Sequence, residues 1–196
     1  MLTCDENHVY RDERGIIVPN VTSILEEERY TDFSKCPAGR LERAQGNGTN
    51  RHDAICYALR GTLDYDKLDP LLLPYVRGAL KYISDYKAEV IYFEHTVHSK
   101  LWNFCGTLDI VLKIDGKYRL RDWKTGSPGC SLQTAAYRIA FEEQEGMKIY
   151  DRAAVLLKED GTYKVAPPTH KDDTEIQLFK SIMNVHNSRK NYIKEA

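Results

Sequence analysis

Apolar and polar positions alternate most clearly in the middle of the chain. Residues 90–97 (Val-Ile-Tyr-Phe-Glu-His-Thr-Val) and 106–114 (Gly-Thr-Leu-Asp-Ile-Val-Leu-Lys-Ile) carry the branched and aromatic content of strands. Asp115-Gly116 is a two-residue hairpin turn signal, and residues 117–124 form the return strand. On either side the period changes to that of helices. Gly15 to Pro19 is a short strand or extended lead, and Asn20 caps a helix from Val21 to Glu28. Pro37 suits the first turn of a second helix, interrupted at Gly46-Asn47-Gly48-Thr49, and a helix restarts near Asn50 and runs to Gly61. Asp69-Pro70 opens another, with Leu72, Leu73, Val76, Leu80 and Ile83 as its apolar stripe; Pro74 pushes its true start later. Beyond the hairpin come a helix from Gly129 or Ser131 to Glu145, strands at 149–158 and 162–165 joined at Asp160-Gly161, and a C-terminal helix capped by Asp172 or Asp173. This order predicts an α/β (α+β) fold with one central sheet flanked by helices.

Composition narrows the class. With 196 residues, 42% hydrophobic and 29% charged, the chain fits a single globular domain over residues 1–196. Its net charge of −1 gives no global basic signature, so any nucleic-acid surface is local. No apolar run is long enough to span a membrane, and the acidic start Met1-Leu2-Thr3-Cys4-Asp5-Glu6 lacks a signal or transit pattern. The 5 cysteines (Cys4, Cys36, Cys56, Cys105, Cys130) are scattered, without a Cys-x-x-Cys pair. Reduced thiols and a cytoplasmic location are expected, the host cytoplasm if the chain is phage-encoded.

The hairpin is where chemistry enters. A two-residue turn pairs Ile114 with Lys117, and hence Asp109 with Asp122. Thr107, Asp109 and Val111 then share a face with Leu120, Asp122 and Lys124. Opposed residues have Cβ atoms about 4.5–5.5 Å apart, so two carboxylates there repel unless a cation lies between them. Mg²⁺ or Mn²⁺ suits such an oxygen pair, and a lysine beside it completes a set able to hydrolyse phosphodiesters. The plain alternative is that Asp122-Trp123-Lys124 is a solvated strand triplet. Gln133 and Tyr137 lie four apart on the following helix and share a face that reaches the same cavity; the alternative is a solvated Gln133 and a packing Tyr137. His52, at a helix start after Gly48, offers an imidazole to complete the carboxylate pair, or is a surface or core residue. Glu94 points at the same cavity or is a rim charge. Lys117, Arg119 and Arg121 lie on the opposite strand face, which a helix-covered sheet rarely tolerates. An open face, or contact with nucleic acid or another chain, is expected there.

Taken in order, His52, Glu94, Gly106-Thr107-Leu108-Asp109, Asp122-Trp123-Lys124 and Gln133-Thr134-Ala135-Ala136-Tyr137 resemble the PD-(D/E)XK nuclease superfamily. The RecB-type branch is the best match, since its pattern adds the helical His and the Gln-x-x-x-Tyr helix. Val18-Pro19-Asn20-Val21-Thr22-Ser23-Ile24-Leu25 and Gly48-Thr49-x-x-His52 look like the opening of phage and mitochondrial genome maintenance exonucleases. The resemblance covers about Gly15 to Phe141. It implies a restriction-endonuclease-like core, a mixed sheet flanked by helices.

It also implies metal-dependent hydrolysis of DNA. Asp109 and Asp122 would hold Mg²⁺ or Mn²⁺, with the Trp123 carbonyl and His52, and Lys124 would orient the attacking water. Gln133 and Tyr137 would position phosphates. Arg51, Arg40 and Arg43 are candidate backbone contacts, with a solvated helix face as the alternative, and Trp102 and Tyr57 are candidate stacking residues for single-stranded bases. No iron–sulfur cluster is expected, because no Cys follows Cys130. The implied role is an exonuclease in replication, recombination or repair, acting on single strands or duplex ends, with a replication or recombination protein as partner. The alternatives are a structure-specific endonuclease and a non-catalytic nucleic-acid or protein-binding module of the same fold.

Overall fold

The computed structural model describes residues 2–5, 9–30, 50–126, 129, 131–167 and 172–194. The expected helix at Pro37, the break at residues 46–49, and Arg40, Arg43, Cys36 and Cys130 lie outside these. Three short strands, β1 (Thr3–Cys4), β2 (Tyr10–Arg11) and β3 (Ile17–Val18), form a small antiparallel sheet. Of these the sequence pattern predicts only β3. The β2–β3 turn is held by Asp12, whose Oδ1 accepts from the backbone N–H of Arg14 and of Ile16, each at 2.9 Å. Helix α1 (Val21–Glu27) begins as predicted, with Asn20 Oδ1 accepting from Ser23 N–H at 2.9 Å. Helix α2 runs through residues 50–59.

A five-stranded sheet follows in the order β4 (Glu89–Ser99), β5 (Phe104–Ile114), β6 (Lys117–Lys124), β7 (Ile149–Leu157), β8 (Tyr163–Ala166). Strands β4, β5 and β6 form an antiparallel meander. Helix α4 (Ser131–Glu145) makes the crossover that sets β7 parallel to β6, and β8 folds back antiparallel, so the sheet is mixed. Asp115 and Gly116 both adopt left-handed backbone, φ 50° and 73°, which matches the predicted turn.

Two apolar layers cover the sheet. On one face, α1, α4 and α5 (Asp172–Lys194) bury Val21, Ile24, Ala136, Phe141, Phe179 and Met183 against Leu108, Val111 and Leu120. On the other, α2 and α3 (Leu73–Asp85) bury Ala54, Ile55, Val76 and Tyr82 against Ile110, Leu112, Ile114 and Trp123. Helix α3 starts later than Asp69-Pro70 and is turned from the predicted stripe. It buries Tyr75, Val76, Ala79 and Tyr82, while Leu80 and Ile83 are only half-buried. Gly78 explains this: a Cβ there would lie 3.1 Å from the Thr162 carbonyl oxygen, so the glycine face takes the close approach to β7 and β8.

The basic residues of β6 have partners within the chain, and the face is partly open, as one expected alternative had it, with Lys117 exposed. Arg119 and Arg121 both pair with Asp151 on β7, Arg121 Nε donates to Tyr82 Oη at 2.6 Å, and Lys117 Nζ lies 3.8 Å from the Tyr150 ring centre. A second buried cation, Arg152, joins the first turns of α4 and α5. It donates to the Ser131 carbonyl, Thr134 Oγ1, Asp172 and Glu175. A neutral residue in place of Arg152 would strand the Glu175 carboxylate, which is 2% exposed.

Candidate active site

The site forms where the sheet divides. The β5–β6 ladder runs from Ile114–Lys117 to Ile110–Arg121 in the predicted register, and stops one rung before Asp109 and Asp122. Beyond that rung β5 stays with β4 as far as Phe104, and β6 stays with β7 as far as Lys124. The expected direct opposition of Asp109 and Asp122 is therefore replaced by a fork. At its apex Trp123 N–H donates to Asp109 Oδ2 at 2.7 Å. A carboxylate oxygen takes the place of a strand carbonyl. Past the fork, Cys105 N–H turns to the Pro19 carbonyl at 3.0 Å, so the N-terminal segment covers part of the edge that β6 has left.

Both strands slip in phase at this point. Strict alternation would put Tyr92, Glu94 and Thr96 on one face. Instead Tyr92 and His95 both bond Glu145 on α4, while Phe93 packs in the opposite layer and Glu94 faces α2. Glu94 has φ 44°, a left-handed conformation that costs an L-residue free energy. On β5, Leu108 belongs to the α4 layer and Ile110 to the α3 layer, which puts Asp109 at the slip. The paired irregularities aim Glu94 and Asp109 at His52 on α2, as β-bulges re-aim side chains elsewhere.

His52 Nδ1 lies 3.6 Å from Glu94 Oε1 and 3.6 Å from Asp109 Oδ1. One donor atom from each of these residues lies within 4.8 Å of the others. Asp109 holds the His52 imidazolium strongly, helped by Glu94 and against the effect of burial, raising its pKa to about 9. Burial in turn pushes the Asp109 carboxyl up to about 7, with Asp122 adding to the effect and His52 opposing it. Asp122 is 2% exposed; its Oδ2 makes no aligned hydrogen bond and has Lys124 Nζ at 2.8 Å. Two carboxylates short of compensation, a third beside them and an imidazole form a donor set that fits a divalent cation.

The other predicted residues fall around this group. Gln133 Nε2 donates to Tyr137 Oη at 2.9 Å, and Tyr137 lies close enough to Asp122 and Asp109 for both to raise its pKa, after burial. A Cβ on Gly106 would stand 2.6 Å from Tyr137 Cε1, so only glycine admits the ring at this depth. The Trp123 carbonyl lies 3.3 Å from His52 Nε2, on the ring edge away from the carboxylates. Arg51 stacks 4.4 Å above the Tyr75 ring and donates to Thr125 Oγ1 at 3.0 Å, which holds its guanidinium beside the end of β6. Trp102 is half-buried against the α4 layer, whereas Tyr57 is 50% exposed on α2.

Two neighbours were missed in the sequence. Tyr10 Oη bonds Thr107 Oγ1 at 2.8 Å, a contact between distant segments that no local pattern carries. Cys56 is buried on α2, and burial, with the charge of Glu94 adding to it, pushes its thiol pKa up to about 12. Its spacing of four from His52 on one helix was the available signal.

Residues 29–188 match the sequence profile of the PD-(D/E)XK nuclease superfamily, which spans most of the chain. The chain belongs to the PD-(D/E)XK nuclease superfamily. Asp122-Trp123-Lys124 is the triplet that the superfamily's name describes. Among solved structures, an alkaline exonuclease from Laribacter hongkongensis is similar at 14% identity over 83% of this chain and 89% of that one, with a TM-score of 0.32. Its complex with dAMP is similar at 14% identity over 91% of this chain and 95% of that one, with a TM-score of 0.33. No curated protein sequence matches. Among the described residues no helix is long and apolar enough to cross a membrane.

Proposed function

We propose that this PD-(D/E)XK protein is a single-domain, metal-dependent deoxyribonuclease that acts as an exonuclease on single strands or duplex ends. The observation that carries the reading is the convergence of His52, Glu94 and Asp109 at the sheet fork, with the Asp122–Lys124 pair beside them. His52, Glu94 and Asp109 would hold Mg²⁺ or Mn²⁺, with Asp122 as a further oxygen donor, while the Trp123 carbonyl, the expected ligand, instead faces His52 Nε2 and orients the ring. A bound ion supplies Lewis-acid polarisation of the scissile phosphate and a more acidic water.

The chain's own groups do the rest. Lys124, ion-paired with Asp122, offsets charge that develops on the phosphate oxygens. Gln133 and Tyr137, joined to each other, present an amide and a phenol on one helix face and orient phosphate without reading sequence. Arg51, fixed by Tyr75 and Thr125, adds a backbone contact at the end of β6. A role in DNA replication, recombination or repair, a protein partner from that machinery and a cytoplasmic location belong to the same proposal.

Incubation with linear and covalently closed circular DNA, with and without Mn²⁺, tests the reading. Metal-dependent loss of linear substrate alone is expected. Loss of both substrates would make the protein an endonuclease, and loss of neither would make it a binding module.

A further inference from the structure

Glu94 reaches His52 only because β4 changes phase, and a strand does not hold such a change by itself. β4 lies at the edge of its sheet, with β5 as its one neighbour. The β4–β5 ladder pairs Phe93 with Ile110 and His95 with Leu108, and no rung joins Glu94 to Asp109 between them. Tyr92 and His95 are three apart and would point to opposite faces of a regular strand. They share one face instead, with ring centres 4.3 Å apart and the Phe141 ring of α4 5.5 Å from Tyr92. Glu145, in the last turn of α4, spans the two. Its Oε2 accepts from Tyr92 Oη and its Oε1 meets His95 Nε2, each at 2.9 Å. One carboxylate therefore fixes both ends of the step that contains Glu94. The residues before it hold the strand beyond the step. Gln144 stands in for a missing strand at the free edge: its Oε1 accepts from His98 N–H at 3.0 Å, and its Nε2 donates to the Thr96 carbonyl at 3.3 Å. Glu143 accepts from Leu101 N–H at 3.0 Å and from Ser99 Oγ at 2.5 Å.

We propose that Glu145 is a positioning residue for the metal site: it clamps Tyr92 and His95 on the α4 face and so keeps Glu94, in its left-handed backbone, aimed at His52 and Asp109. The inference rests on the proposed function, because it takes Glu94 as a metal ligand. Glu145 lies across β4 from His52 and acts through the strand backbone. Without the clamp, β4 can relax toward regular alternation, which relieves the φ of 44° at Glu94 and turns its carboxylate out of the ligand set. Bound metal opposes that relaxation, so the loss falls on metal affinity and not on the rate at saturation.

Calorimetric titration of the full chain with Mn²⁺ tests this without DNA. Glu145→Ala should need at least about tenfold more Mn²⁺ for half-saturation, the smallest loss usual for a group that supports a ligand. Glu145→Gln keeps an acceptor for Tyr92 and a polar group for His95, so it should bind Mn²⁺ more tightly than the alanine variant. Tyr92→Phe removes one arm of the clamp and should weaken binding in the same direction; it serves if the alanine variant fails to fold. In the cleavage assay, Glu145→Ala should raise the Mn²⁺ concentration for half-maximal rate by the same factor, and kcat should recover at saturating Mn²⁺. A variant that is only less well folded would lose kcat at unchanged metal affinity. Unchanged Mn²⁺ affinity in Glu145→Ala (in Tyr92→Phe, should the alanine variant not fold), or a glutamine variant as weak as the alanine one, overturns the positioning role and leaves the metal site in place. A wild-type chain that binds no Mn²⁺ removes the proposed metal site and the positioning role with it. Glu145-dependent Mn²⁺ binding in a chain that cleaves no DNA keeps the positioning role and removes the nuclease activity instead.

Discussion

Replacing Glu94 by glycine should stabilise the metal-free protein and weaken its response to metal. Glu94 has φ 44°, at the point where β4 changes phase. A left-handed conformation costs a residue with a Cβ about 1–2 kcal/mol. Glycine does not meet that cost, but it has more freedom to lose on folding, about 0.5–1 kcal/mol. The backbone gain is therefore about 0.5–1 kcal/mol, and for a chain of this size about 1–4 °C in melting temperature. Charge must be separated from backbone, because glycine also removes a carboxylate that faces Asp109 and His52. Glu94→Gln removes the charge but keeps the strained φ, and Glu94→Ala keeps the strain while losing the side chain. In chelator the expected order of melting temperatures is Gly above Gln and Gln at or above Ala. With divalent metal the order should change. Wild type gains roughly RT ln(1 + [L]/Kd), about 2.7 kcal/mol at a hundredfold excess over Kd, and the three variants gain much less. Thermal melts in chelator and in saturating Mn²⁺ measure both effects. A glycine variant less stable than the alanine variant in chelator would refute the strain. A glycine variant that gains as much from metal as wild type would remove Glu94 from the ligand set.

Asp109→Ala, Asp122→Ala and Lys124→Ala should each abolish DNA hydrolysis with the circular dichroism spectrum retained, and wild-type cleavage by either purified Asp variant would end the assignment. Gly106→Ala should displace Tyr137, whose Cε1 would lie 2.6 Å from the new Cβ, at a cost of about 1–3 kcal/mol and with a loss of turnover that Tyr137→Phe shares in part. The raised His52 pKa sets a pH window. Its folded value, about 9, exceeds the unfolded value near 6.5, so its stabilisation is complete below about pH 6.5 and is lost as pH rises toward 9. In chelator, the melting temperature of wild type should thus fall across that window more than that of His52→Gln. Because a ligating imidazole must be neutral, metal binding at pH 8 should release protons, which calorimetry in buffers of different ionisation enthalpy detects.

Local rules sufficed for most of the frame. Asp115-Gly116 fixed the turn and the register from Ile114 to Ile110, Asn20 marked the start of α1, and the α4 bounds follow from its flanking residues. The same rules misplaced what depends on distant segments. Ideal alternation carried the hairpin register through to Asp109–Asp122, but the ladder ends where β5 follows β4 and β6 follows β7, and no property of the hairpin announces that parting. The α3 stripe was misjudged because hydrophobicity ranks Leu80 and Ile83 above a glycine, whereas packing selected the face that Gly78 allows closest to Thr162. The partner of Arg119 and Arg121 went unread because Asp151, some thirty residues on, is brought alongside only by the parallel crossover. Among the site residues, Glu94 could be an inward ligand or a rim charge by periodicity alone. Its inward aim depends on the phase slip at a positive φ, which glutamate gives no reason to expect.

The two kinds of buried charge in this molecule support the proposal that the fork is the functional region. Arg152 is wholly buried, yet its guanidinium is met by two carboxylates, a carbonyl and a hydroxyl, so its network is complete and its role is to join α4 and α5. Arg121 is buried and likewise answered, by Tyr82 and Asp151. At the fork the balance is reversed. Asp109, Asp122 and Glu94 share one protonatable imidazole and one lysine, Asp109 is driven toward protonation, and Asp122 Oδ2 lacks an aligned donor. The same few residues include a glutamate in left-handed backbone and a glycine required by an aromatic ring. Each feature works against stability in the metal-free chain. Folds tolerate such concentrations of broken local rules where a ligand repays them. The sign of the missing charge fits a cation as that ligand. The oxygen-rich donors suit the hard ion of the proposed phosphodiester hydrolysis.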